Sequence, residues 1–376
     1  MRIGIPKEVK SNEFRVSVTP SGVAELVHRG HDVVVEKSAG VGSSFSDEEY
    51  IEAGATMVDT ADDVWKQGDL IVKVKEPIAE EFHRMRADQV LFTYLHLAAC
   101  TDCCDALLKA GTTSIAYEVV QTPDHKLPLL APMSEVAGRL SVQIGAQYLM
   151  KHNGGNGKLL GGVSGVRPAN VVVLGAGTAG SNAVAIAAGM RADVTVFDIN
   201  IAALKRLDDI YQGRVHTVVS NRAEIAKALE TADVVIGSVL IPGSSTPKLV
   251  TNDMVAHMQP GSVLIDIAID QGGCFEDSHP TTYDDPTFTV HDTVFYCVAN
   301  MPGAVPNTST WALSNATLPY ILQLADKGWE KAVAENPALK AGLSTHKGQI
   351  YSAPVAEARG LPLATCLLYT SPSPRD

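Results

Sequence analysis

The sequence contains few cysteines and no excess of positive charge, and both features limit the classes of protein it can belong to. Six cysteines among 376 residues are too few for a disulfide scaffold. Acidic residues outnumber basic ones, 42 to 30, and the resulting charge of −12 disfavours nucleic acid and anionic membranes as partners. The N-terminus lacks the apolar segment of a secretory signal, so we expect a cytoplasmic protein. A hydrophobic content of 45% excludes general disorder, and the length favours two domains.

Three of the cysteines, Cys100, Cys103 and Cys104, form a C-x-x-C-C pattern that could suggest zinc or redox chemistry. Zinc would need a second pair of ligands at finger-like spacing, and the sequence has none. The pattern lies in the first turns of a helix expected from Thr101 to Gly111. We therefore interpret these residues as reduced cysteines that pack in the core.

Short β-rich segments alternate with helix signals in the first third of the sequence. Thr19 and Pro20 begin a helix that ends at Gly30, and Ser46 forms a capping box with Glu49. Strands that alternate with helices require crossover connections, which predicts a parallel α/β sheet. We expect its strands at residues 2–5, 33–36, 70–74, 90–94 and 113–117.

A second alternating series follows a proline-bounded segment, residues 122–132, and a helix expected from Ser134 to about Met150. A helical segment from Pro302 to about Trp329 then returns the chain to the first domain. Six strands are expected in the second series, as in a complete dinucleotide-binding fold, near residues 171–174, 194–198, 215–219, 233–237, 263–266 and 294–298.

The strongest motif is G-x-G-x-x-G, formed by Gly175, Gly177 and Gly180 between a buried strand and an alanine-rich helix. The first glycine allows a tight turn, the second lets backbone approach a pyrophosphate, and the third lets the helix pack closely. Asp198 ends the next strand, where a carboxylate binds ribose hydroxyls and repels a 2′-phosphate, which favours NAD over NADP. A structural turn and a flavin site are the alternatives. The motif also explains the uncharged residues 171–190 without a membrane span.

Polar residues follow the predicted strands at the edge where ligands of doubly wound sheets bind. They are Arg15, Lys75 and His96 in the first series and Asp270 and Asn300 in the second. If the two edges face each other, they suit a small carboxylate substrate. The arginine would bind its carboxylate, the lysine would polarise a carbonyl, and the histidine or aspartate would move protons. The alternatives are solvated surface side chains for the two cations and an ordinary core position for the histidine.

Nine segments of the sequence resemble bacterial alanine dehydrogenases, and the resemblance extends from residue 1 to about 363. They are GIPKE (4–8), NEFRV (12–16), DLIVKVKEP (69–77), YLHLA (94–98), PMSEVAG (132–138), GGVSGV (161–166), GAGTAG (175–180), DIAIDQGGCF (266–275) and VANMPGA (298–304). The resemblance implies oxidative deamination of L-alanine to pyruvate and ammonia with NAD, and the reverse reductive amination. It also implies a homohexamer.

The resemblance further implies a central Rossmann domain, residues 131–300 with its linking helix, inserted in a discontinuous α/β substrate domain of residues 1–130 and 301–363. Matched residue by residue, Arg15, Lys75 and Asn300 would bind substrate, and His96 and Asp270 would be the acid/base pair. Imidazole changes charge near neutral pH, so we expect the histidine to carry the proton and the aspartate to act as its electrostatic partner. The NAD contacts would be the three motif glycines with Ser134, Thr178, Ala179, Asp198, Ser220, Val239, Leu240, Ile267, Ala268, Ile269, Asp270, Val298, Ala299, Asn300 and Met301.

The sequence departs from the family pattern at a few positions. Ala203 and His279 stand where family members can carry a basic residue that contacts NAD. Gln323 and Lys327 replace residues that hold a metal in some members, so we predict no metal site. Residues 364–376 do not resemble the family and have the composition of a disordered tail.

Two other functions share the predicted fold. One is the NAD(H)-binding subunit of a proton-translocating transhydrogenase, which needs no amine chemistry. The other is an inactive NAD-binding regulator. Lys75, His96 and the Asn300-Met-Pro-Gly segment favour the dehydrogenase.

Overall fold

The alternation predicted for the first third of the chain is present in the computed structural model, which describes residues 1–239 and 246–364. The strands are β1 (Arg2–Ile5), β2 (Asp32–Glu36), β3 (Thr56–Val58), β4 (Leu70–Val72), β5 (Val90–Thr93) and β6 (Thr113–Ala116). The helices are α1 (Pro20–His28), α2 (Asp47–Glu52), α3 (Ala61–Gln67) and α4 (Thr101–Ala110).

The helix ends in this region follow from local side-chain chemistry. The Thr19 hydroxyl accepts a hydrogen bond from the Gly22 N–H at the start of α1, at 3.3 Å. Both halves of the capping box at α2 are formed: the Glu49 N–H donates to the Ser46 hydroxyl, and the Ser46 N–H donates to the Glu49 carboxylate. Helix α4 ends at Gly111, which adopts a left-handed φ of 72°. These caps satisfy backbone groups that a helix end otherwise leaves unpaired.

The remaining elements complete a second sheet and then extend the first. The middle of the chain contains α5 (Ala131–Tyr148), β7 (Asn170–Leu174), α6 (Thr178–Gly189), β8 (Asp193–Asp198), α7 (Ile201–Tyr211), β9 (Val215–Val219), α8 (Arg222–Leu229), β10 (Val234–Gly237), α9 (Asn252–Ala256), β11 (Val263–Asp266), β12 (Thr287–Val290) and β13 (Thr293–Tyr296). The last part contains α10 (Pro306–Lys327), α11 (Trp329–Glu335), α12 (Pro337–Gly342), β14 (Leu343–His346), β15 (Gln349–Ile350) and α13 (Ala353–Arg359).

The chain divides into two units. Unit 1 contains residues 1–130 and the described residues from Pro306 onward, and unit 2 contains residues 131–305. Within the described ranges, no helix is long and apolar enough to cross a membrane.

The sheet of unit 1 has the order β15-β14-β6-β5-β4-β1-β2-β3 among the described residues. Strands β1 to β6 run parallel, and the connections leave β1 in both directions, to β2 and to β4. Strands β14 and β15 add an antiparallel hairpin at the β6 edge. The short strands β3, β14 and β15 were not among the predicted ones.

The sheet of unit 2 has the order β12-β13-β11-β10-β7-β8-β9 among the described residues. All of its strands except β12 run parallel, and β7 lies between β8 and β10. This is the order of two joined mononucleotide-binding halves, with a switch point where β7 and β10 meet. The predicted fold class, two doubly wound α/β domains, is confirmed.

Successive residues of β7 point to opposite faces of the sheet and pack in two different cores. Val171 and Val173 belong to one buried apolar cluster, whereas Val172 and Leu174 belong to another. A strand covered on both faces has a continuous apolar sequence, which explains why β7 shows no polar alternation. The buried sheet leaves its strand ends as the positions where polar side chains can reach a ligand.

Candidate functional site

The glycine turn of unit 2 joins β7 to α6 and has a different constraint at each glycine. Gly175 has a φ of 104°, which side-chain-bearing residues rarely adopt. A Cβ atom at Gly180 would lie 1.8 Å from the carbonyl oxygen of Gly175, so only glycine lets the helix start so close to the strand. A Cβ atom at Gly177 would have no neighbour within 4 Å. The turn therefore leaves an open cradle at Gly177, beside the N-terminus of α6.

Asp198 lies at the carboxyl end of β8, and its carboxylate holds the glycine turn. One oxygen accepts a hydrogen bond from the Ala176 N–H at 2.5 Å, and the other accepts from the Asn200 N–H at 2.7 Å. The sequence predicted only a contact with ribose. The structure shows a role that the sequence did not predict, since this carboxylate fixes the loop next to the cradle.

The other residues predicted to contact the nucleotide lie beside this turn or at the carboxyl ends of neighbouring strands. Ser134 is in the first turn of α5, a helix packed so tightly on α6 that a Cβ atom at Gly138 would lie 2.1 Å from the Ala179 oxygen. Ser220, Val239, Ile267–Asp270 and Val298–Met301 follow β9, β10, β11 and β13, and Thr178 is the first residue of α6. Leu240 lies outside the described residues.

A buried carboxylate shapes the loop that presents Asp270. Asp266 is 0% exposed and accepts hydrogen bonds from the Cys274 N–H at 2.9 Å and from the Ser278 hydroxyl at 2.6 Å. Burial raises the pKa of Asp266, while the bonds from Ser278 and from the loop lower it. Asp270 itself is exposed, in a short 3₁₀ turn between β11 and these contacts.

Asn300 adopts a left-handed backbone conformation, with a φ of 57°. The Tyr283 hydroxyl donates hydrogen bonds to the carbonyl oxygens of Asn300 and Met301, at 3.2 and 3.3 Å. Non-glycine residues with positive φ are uncommon and often occur at functional sites. The constraint fixes the backbone of this segment after β13.

Arg15, in unit 1, is buried rather than solvated. Its side chain is 1% exposed and forms a double hydrogen bond with Glu13, from Nε at 2.6 Å and from Nη2 at 2.5 Å. Burial alone would lower the pKa of the guanidinium, but Glu13 raises it. Helix α10 fixes this segment, since the Val16 and Thr19 N–H groups donate to the hydroxyls of Thr310 and Ser314. The alternative of a solvated surface arginine is wrong.

Lys75 is partly buried and lies beyond β4, where a buried ionic cluster fixes the backbone. Lys73 is 0% exposed and donates to Glu8 at 3.1 Å and to Glu81 at 2.9 Å. Glu8 also accepts from the Val74 N–H at 2.6 Å and the Lys75 N–H at 3.4 Å. Burial raises the pKa of Glu8 to about 7. This cluster positions the segment that carries Lys75.

His96 is exposed rather than part of the core, so the alternative reading of its position is wrong. Its backbone has a left-handed φ of 49°, and its N–H donates to the Glu118 carboxylate at 2.6 Å. The same carboxylate is 4.0 Å from the His96 Nδ1 atom. The imidazole also stacks against Tyr94, with ring centroids 6.0 Å apart. Glu118 thus fixes the loop backbone and places a carboxylate near the ring.

Arg15, Lys75, His96 and Glu118 follow β1, β4, β5 and β6, whose carboxyl ends all meet at one edge of the unit 1 sheet. Sequence reasoning missed Glu118, Glu8, Glu13 and Lys73. The rule that selected the other residues applies to Glu118 as well, because it is the second residue after β6. The edge combines two cations, an imidazole and a carboxylate, a set that can bind an acid and move a proton.

The residues at the departures from the family pattern have partners of their own. His279 stacks on Phe288 with centroids 3.8 Å apart, and Ala203 is the third residue of α7. Gln323 accepts a hydrogen bond from Asn336, and Lys327 pairs with Glu335. Across residues 1–239 and 246–364, no three His, Cys, Asp or Glu side chains converge as metal ligands would.

Comparison with known proteins identifies the relatives of this chain. Residues 4–137 match the family described as alanine dehydrogenase/PNT, N-terminal domain, and residues 141–353 match its C-terminal domain. The chain is 62% identical to the alanine dehydrogenase of Mycolicibacterium smegmatis over 362 residues, which are 96% of this chain and 98% of that protein.

Two solved structures are similar over nearly the whole chain. An L-alanine dehydrogenase has a TM-score of 0.93 at 48% identity, and the match covers 96% of this chain and 99% of that one. A transhydrogenase from Sinorhizobium meliloti has a TM-score of 0.79 at 28% identity, with coverage of 94% and 99%. The fold is thus common to both, and the first is the more similar.

Proposed function

Because this chain belongs to the alanine dehydrogenase/PNT family, we propose that it oxidises L-alanine to pyruvate and ammonia with NAD, and that it also catalyses the reverse reductive amination. The observation that carries the proposal is the set of residues at the sheet edge of unit 1. Arg15, Lys75 and His96 all follow strands that end there, and Glu118 bonds to the histidine. A small keto acid needs a carboxylate partner, a group that polarises its carbonyl and a proton carrier, and this edge offers all three.

The residues of unit 2 fit a dinucleotide. The open space at Gly177, beside the N-terminus of α6, suits a pyrophosphate because backbone N–H groups and the helix dipole stabilise negative charge there. The Asp198 carboxylate favours NAD, because it can accept bonds from two ribose hydroxyls and repels a 2′-phosphate. A nicotinamide cofactor held by these residues would supply the hydride acceptor for the oxidation of alanine and the hydride donor for the reverse reaction.

Arg15 and Lys75 bind the substrate in this proposal. The guanidinium forms charge-assisted hydrogen bonds with the substrate carboxylate, and Glu13 holds it in a fixed orientation. The Lys75 ammonium donates to the keto oxygen of pyruvate and draws electrons from the carbonyl carbon, which favours attack by ammonia. The ionic cluster of Glu8, Lys73 and Glu81 keeps the Lys75 backbone in place.

His96 carries the proton. In deamination, water must attack the iminium carbon of the oxidised substrate, and the imidazole accepts the proton that this water loses. In amination, the protonated imidazole donates to the hydroxyl that leaves the carbinolamine. Glu118 accepts a hydrogen bond from the His96 N–H, and its carboxylate lies 4.0 Å from the Nδ1 atom of the ring. The roles that the family resemblance implies for Asp270, an electrostatic partner of the histidine, and for Asn300, a substrate contact, remain predictions.

The transhydrogenase function is the second candidate, since a transhydrogenase shares the fold. The relative at 62% identity is an alanine dehydrogenase, and the structure with the higher TM-score is an L-alanine dehydrogenase. A transfer between two nucleotides also gives Lys75 and His96 no proton or carbonyl to act on. The dehydrogenase is therefore the favoured function.

A spectrophotometric assay tests the proposal directly. Purified protein with NAD is expected to form NADH with L-alanine and to release pyruvate and ammonia in equal amounts. Glycine, L-serine and L-lysine are compared in parallel, and NADP replaces NAD in a matched series. Hydride exchange between NADH and an oxidised nucleotide analogue without any amino-acid activity would instead support the transhydrogenase.

The proposal extends to a homohexamer, which the family resemblance implies, and to a cytoplasmic location, which the few cysteines favour. Light scattering of the purified protein measures the mass of the assembly. Fractionation of cells that produce the protein tests the location.

A further inference from the structure

The C-x-x-C segment lies at the start of α4, directly after the loop that carries His96. Cys100 is the N-cap residue of the helix and Cys103 is its third residue. Side chains three residues apart in a helical turn lie on the same side, with Cβ atoms about 5–6 Å apart or closer. A disulfide needs the two Cβ atoms within about 3.5–4.5 Å. An N-cap side chain turns back towards the third helical residue, so closing the bond requires only a small backbone adjustment of the first turn.

A hydrogen bond links the two thiols and shifts their pKa values in opposite directions. The Cys103 thiol donates a hydrogen bond to the Cys100 sulfur, and this bond is the main reason why the pKa of Cys100 is lowered to about 6. Partial burial of Cys100 acts in the opposite direction. The pKa of Cys103 is raised, first by the same hydrogen bond and then by burial. The bond therefore favours the thiolate form at Cys100 and the thiol form at Cys103.

Cys100 and Cys103 also differ in their exposure to solvent. Cys100 is partly exposed, whereas Cys103 and Cys104 are 0% exposed and pack in the core with Leu107. Glu76 and Lys10, which pair with each other, face Cys100: the carboxylate raises the pKa of its thiol and the ammonium lowers it. A partly exposed cysteine that favours the thiolate form, beside a buried thiol, is the arrangement of an attacking and a resolving cysteine.

We propose that Cys100 and Cys103 are a redox site that forms a reversible intramolecular disulfide. Nothing in the proposed dehydrogenase reaction uses these residues, so the inference is independent of that function. Transient disulfides of this kind are the ones that occur in reducing compartments. Cys104 takes no part, because the hydrogen bond of Cys100 is with Cys103.

A peroxide is the oxidant in the proposed reaction. The Cys100 thiolate attacks one oxygen of hydrogen peroxide, the O–O bond breaks, and a sulfenic acid forms while the leaving hydroxide takes up a proton as water. The Cys103 thiol then attacks the Cys100 sulfur, the S–O bond breaks, and a second water leaves with the Cys103 proton. Two thiols lose two electrons and two protons in total, and the peroxide is reduced to two waters. A dithiol reductant reverses the reaction by thiol–disulfide exchange.

The disulfide would form one turn away from the candidate proton carrier. The His96 carbonyl oxygen accepts hydrogen bonds from the Ala99 N–H at 2.9 Å and from the Cys100 N–H at 2.8 Å. A covalent bond at Cys100 therefore constrains the turn that follows His96.

Mass spectrometry of the intact, untagged chain tests the proposal. The protein is treated with hydrogen peroxide, its remaining thiols are alkylated under denaturing conditions, and it is digested with trypsin. Arg86 and Lys109 are the trypsin sites that bound the segment, so residues 87–109 form one peptide that contains all three cysteines. We expect this peptide to lose two hydrogen atoms and to carry a single alkyl group, on Cys104. If the oxidised protein is treated with dithiothreitol before alkylation, the peptide should carry three alkyl groups.

Three serine variants separate the possible pairs. Cys104→Ser is the matched control, since it removes the neighbouring buried thiol, and it should still lose two hydrogens. Cys103→Ser should not, and should instead accumulate a sulfenic acid at Cys100 that dimedone traps. Cys100→Ser should form neither product. A disulfide lost in Cys104→Ser, a bond between two chains, or three free thiols after oxidation of the wild type would each overturn the proposal.

The rate of alkylation provides a second readout that does not depend on the oxidant. In the native protein, the reaction of Cys100 with iodoacetamide should rise through a midpoint near pH 6, because the thiolate is the reactive form. In Cys103→Ser the midpoint for alkylation of Cys100 should remain low only if the serine hydroxyl donates the hydrogen bond that the Cys103 thiol donates in the wild type. In Cys103→Ala it should move towards about 8.5, the value of an ordinary thiol. An unchanged midpoint in Cys103→Ala would show that the two sulfurs are not bonded.

Discussion

Gly177→Ala and Gly180→Ala should damage the glycine turn of unit 2 in two different ways. At Gly177 the backbone is extended, with a φ of −70°, and a Cβ atom would meet nothing within 4 Å. Alanine should therefore be tolerated in the protein alone. If the pyrophosphate occupies this space, the same Cβ atom would collide with it. At Gly180 the Cβ atom would collide with the protein itself, 1.8 Å from the Gly175 oxygen.

The size of each effect follows from these contacts. An ordinary contact begins at 3.4 Å, so the start of α6 must move by about 3.4 − 1.8 = 1.6 Å to accept alanine at Gly180. Such overpacking typically costs about 1–3 kcal/mol, and Tm should fall by about 2–4 °C for each kcal/mol. A collision of similar size between a Gly177→Ala side chain and the pyrophosphate would raise the Kd for NADH by about 5- to 150-fold.

Two measurements distinguish the variants: thermal unfolding without ligand, and NADH binding followed by fluorescence. Gly177→Ala should keep the wild-type Tm and bind NADH weakly, whereas Gly180→Ala should lose both stability and affinity. Gly189→Ala is the control, because a Cβ atom at this position near the end of the same helix also meets nothing within 4 Å. Its Tm should be unchanged or slightly higher, and its affinity unchanged. Wild-type NADH affinity in Gly177→Ala would refute the assignment of the cradle to the pyrophosphate.

Three further substitutions test the other parts of the site. His96→Ala should lower kcat in steady-state assays by about 10²–10⁴-fold and leave the Kd for NADH unchanged. Asp198→Ala should weaken the binding of both NADH and NADPH, because the carboxylate holds the turn. In fluorescence titrations the ratio of the two affinities should nevertheless shift towards NADPH by about tenfold or more. Lys73→Met leaves two buried carboxylates uncompensated and should lower the free energy of urea unfolding by about 3–5 kcal/mol. This loss should be larger at pH 8 than at pH 5. Burial raises the pKa of Glu8 and Lys73 lowers it, so without Lys73 this pKa lies further above the value in the unfolded chain and stability falls as Glu8 ionises.

Each of these predictions has an outcome that contradicts it. Near wild-type turnover in His96→Ala would transfer the proton-carrying role to Asp270. An unchanged nucleotide preference in Asp198→Ala would mean that the carboxylate serves only the turn. For Lys73→Met the control is Lys37→Met, which removes an exposed ion pair and should leave the free energy of unfolding nearly unchanged. Equal losses of unfolding free energy in the two variants would show that the buried cluster contributes no more to stability than an exposed ion pair does.

The parallel strands and the nucleotide turn could be predicted because their signals are local. A strand buried on both faces is a continuous apolar run, and the spacing of Gly175, Gly177 and Gly180 is dictated by the turn itself. The same holds for the cap of α1 and the capping box of α2. Candidate site residues could be selected because parallel strands bring their carboxyl ends to one edge.

The missed features depend on partners that are distant in the sequence. Strand β14 becomes a strand only by pairing with β6, through contacts such as Ser114 with Thr345 at 2.7 Å. The burial of Arg15 depends on Glu13 and on a helix that starts nearly 300 residues later. The left-handed backbone at His96 is held by Glu118, after the next strand. None of these constraints produces a periodic pattern in the sequence.

The interrupted course of unit 1 has a consequence for how the chain is made. Unit 2 is one continuous segment and has all its strands once residue 305 has been synthesised. The synthesis of unit 1 begins first, but its folding cannot be completed until the end of the chain is made. The hairpin that pairs with β6 and the helix that holds the Arg15 segment are synthesised last. Until then, the β6 edge offers unpaired backbone groups to any other nascent strand. The ribosome thus completes the nucleotide-binding unit before the unit that surrounds it in the sequence, and the period of greatest aggregation risk is the synthesis of residues 131–350.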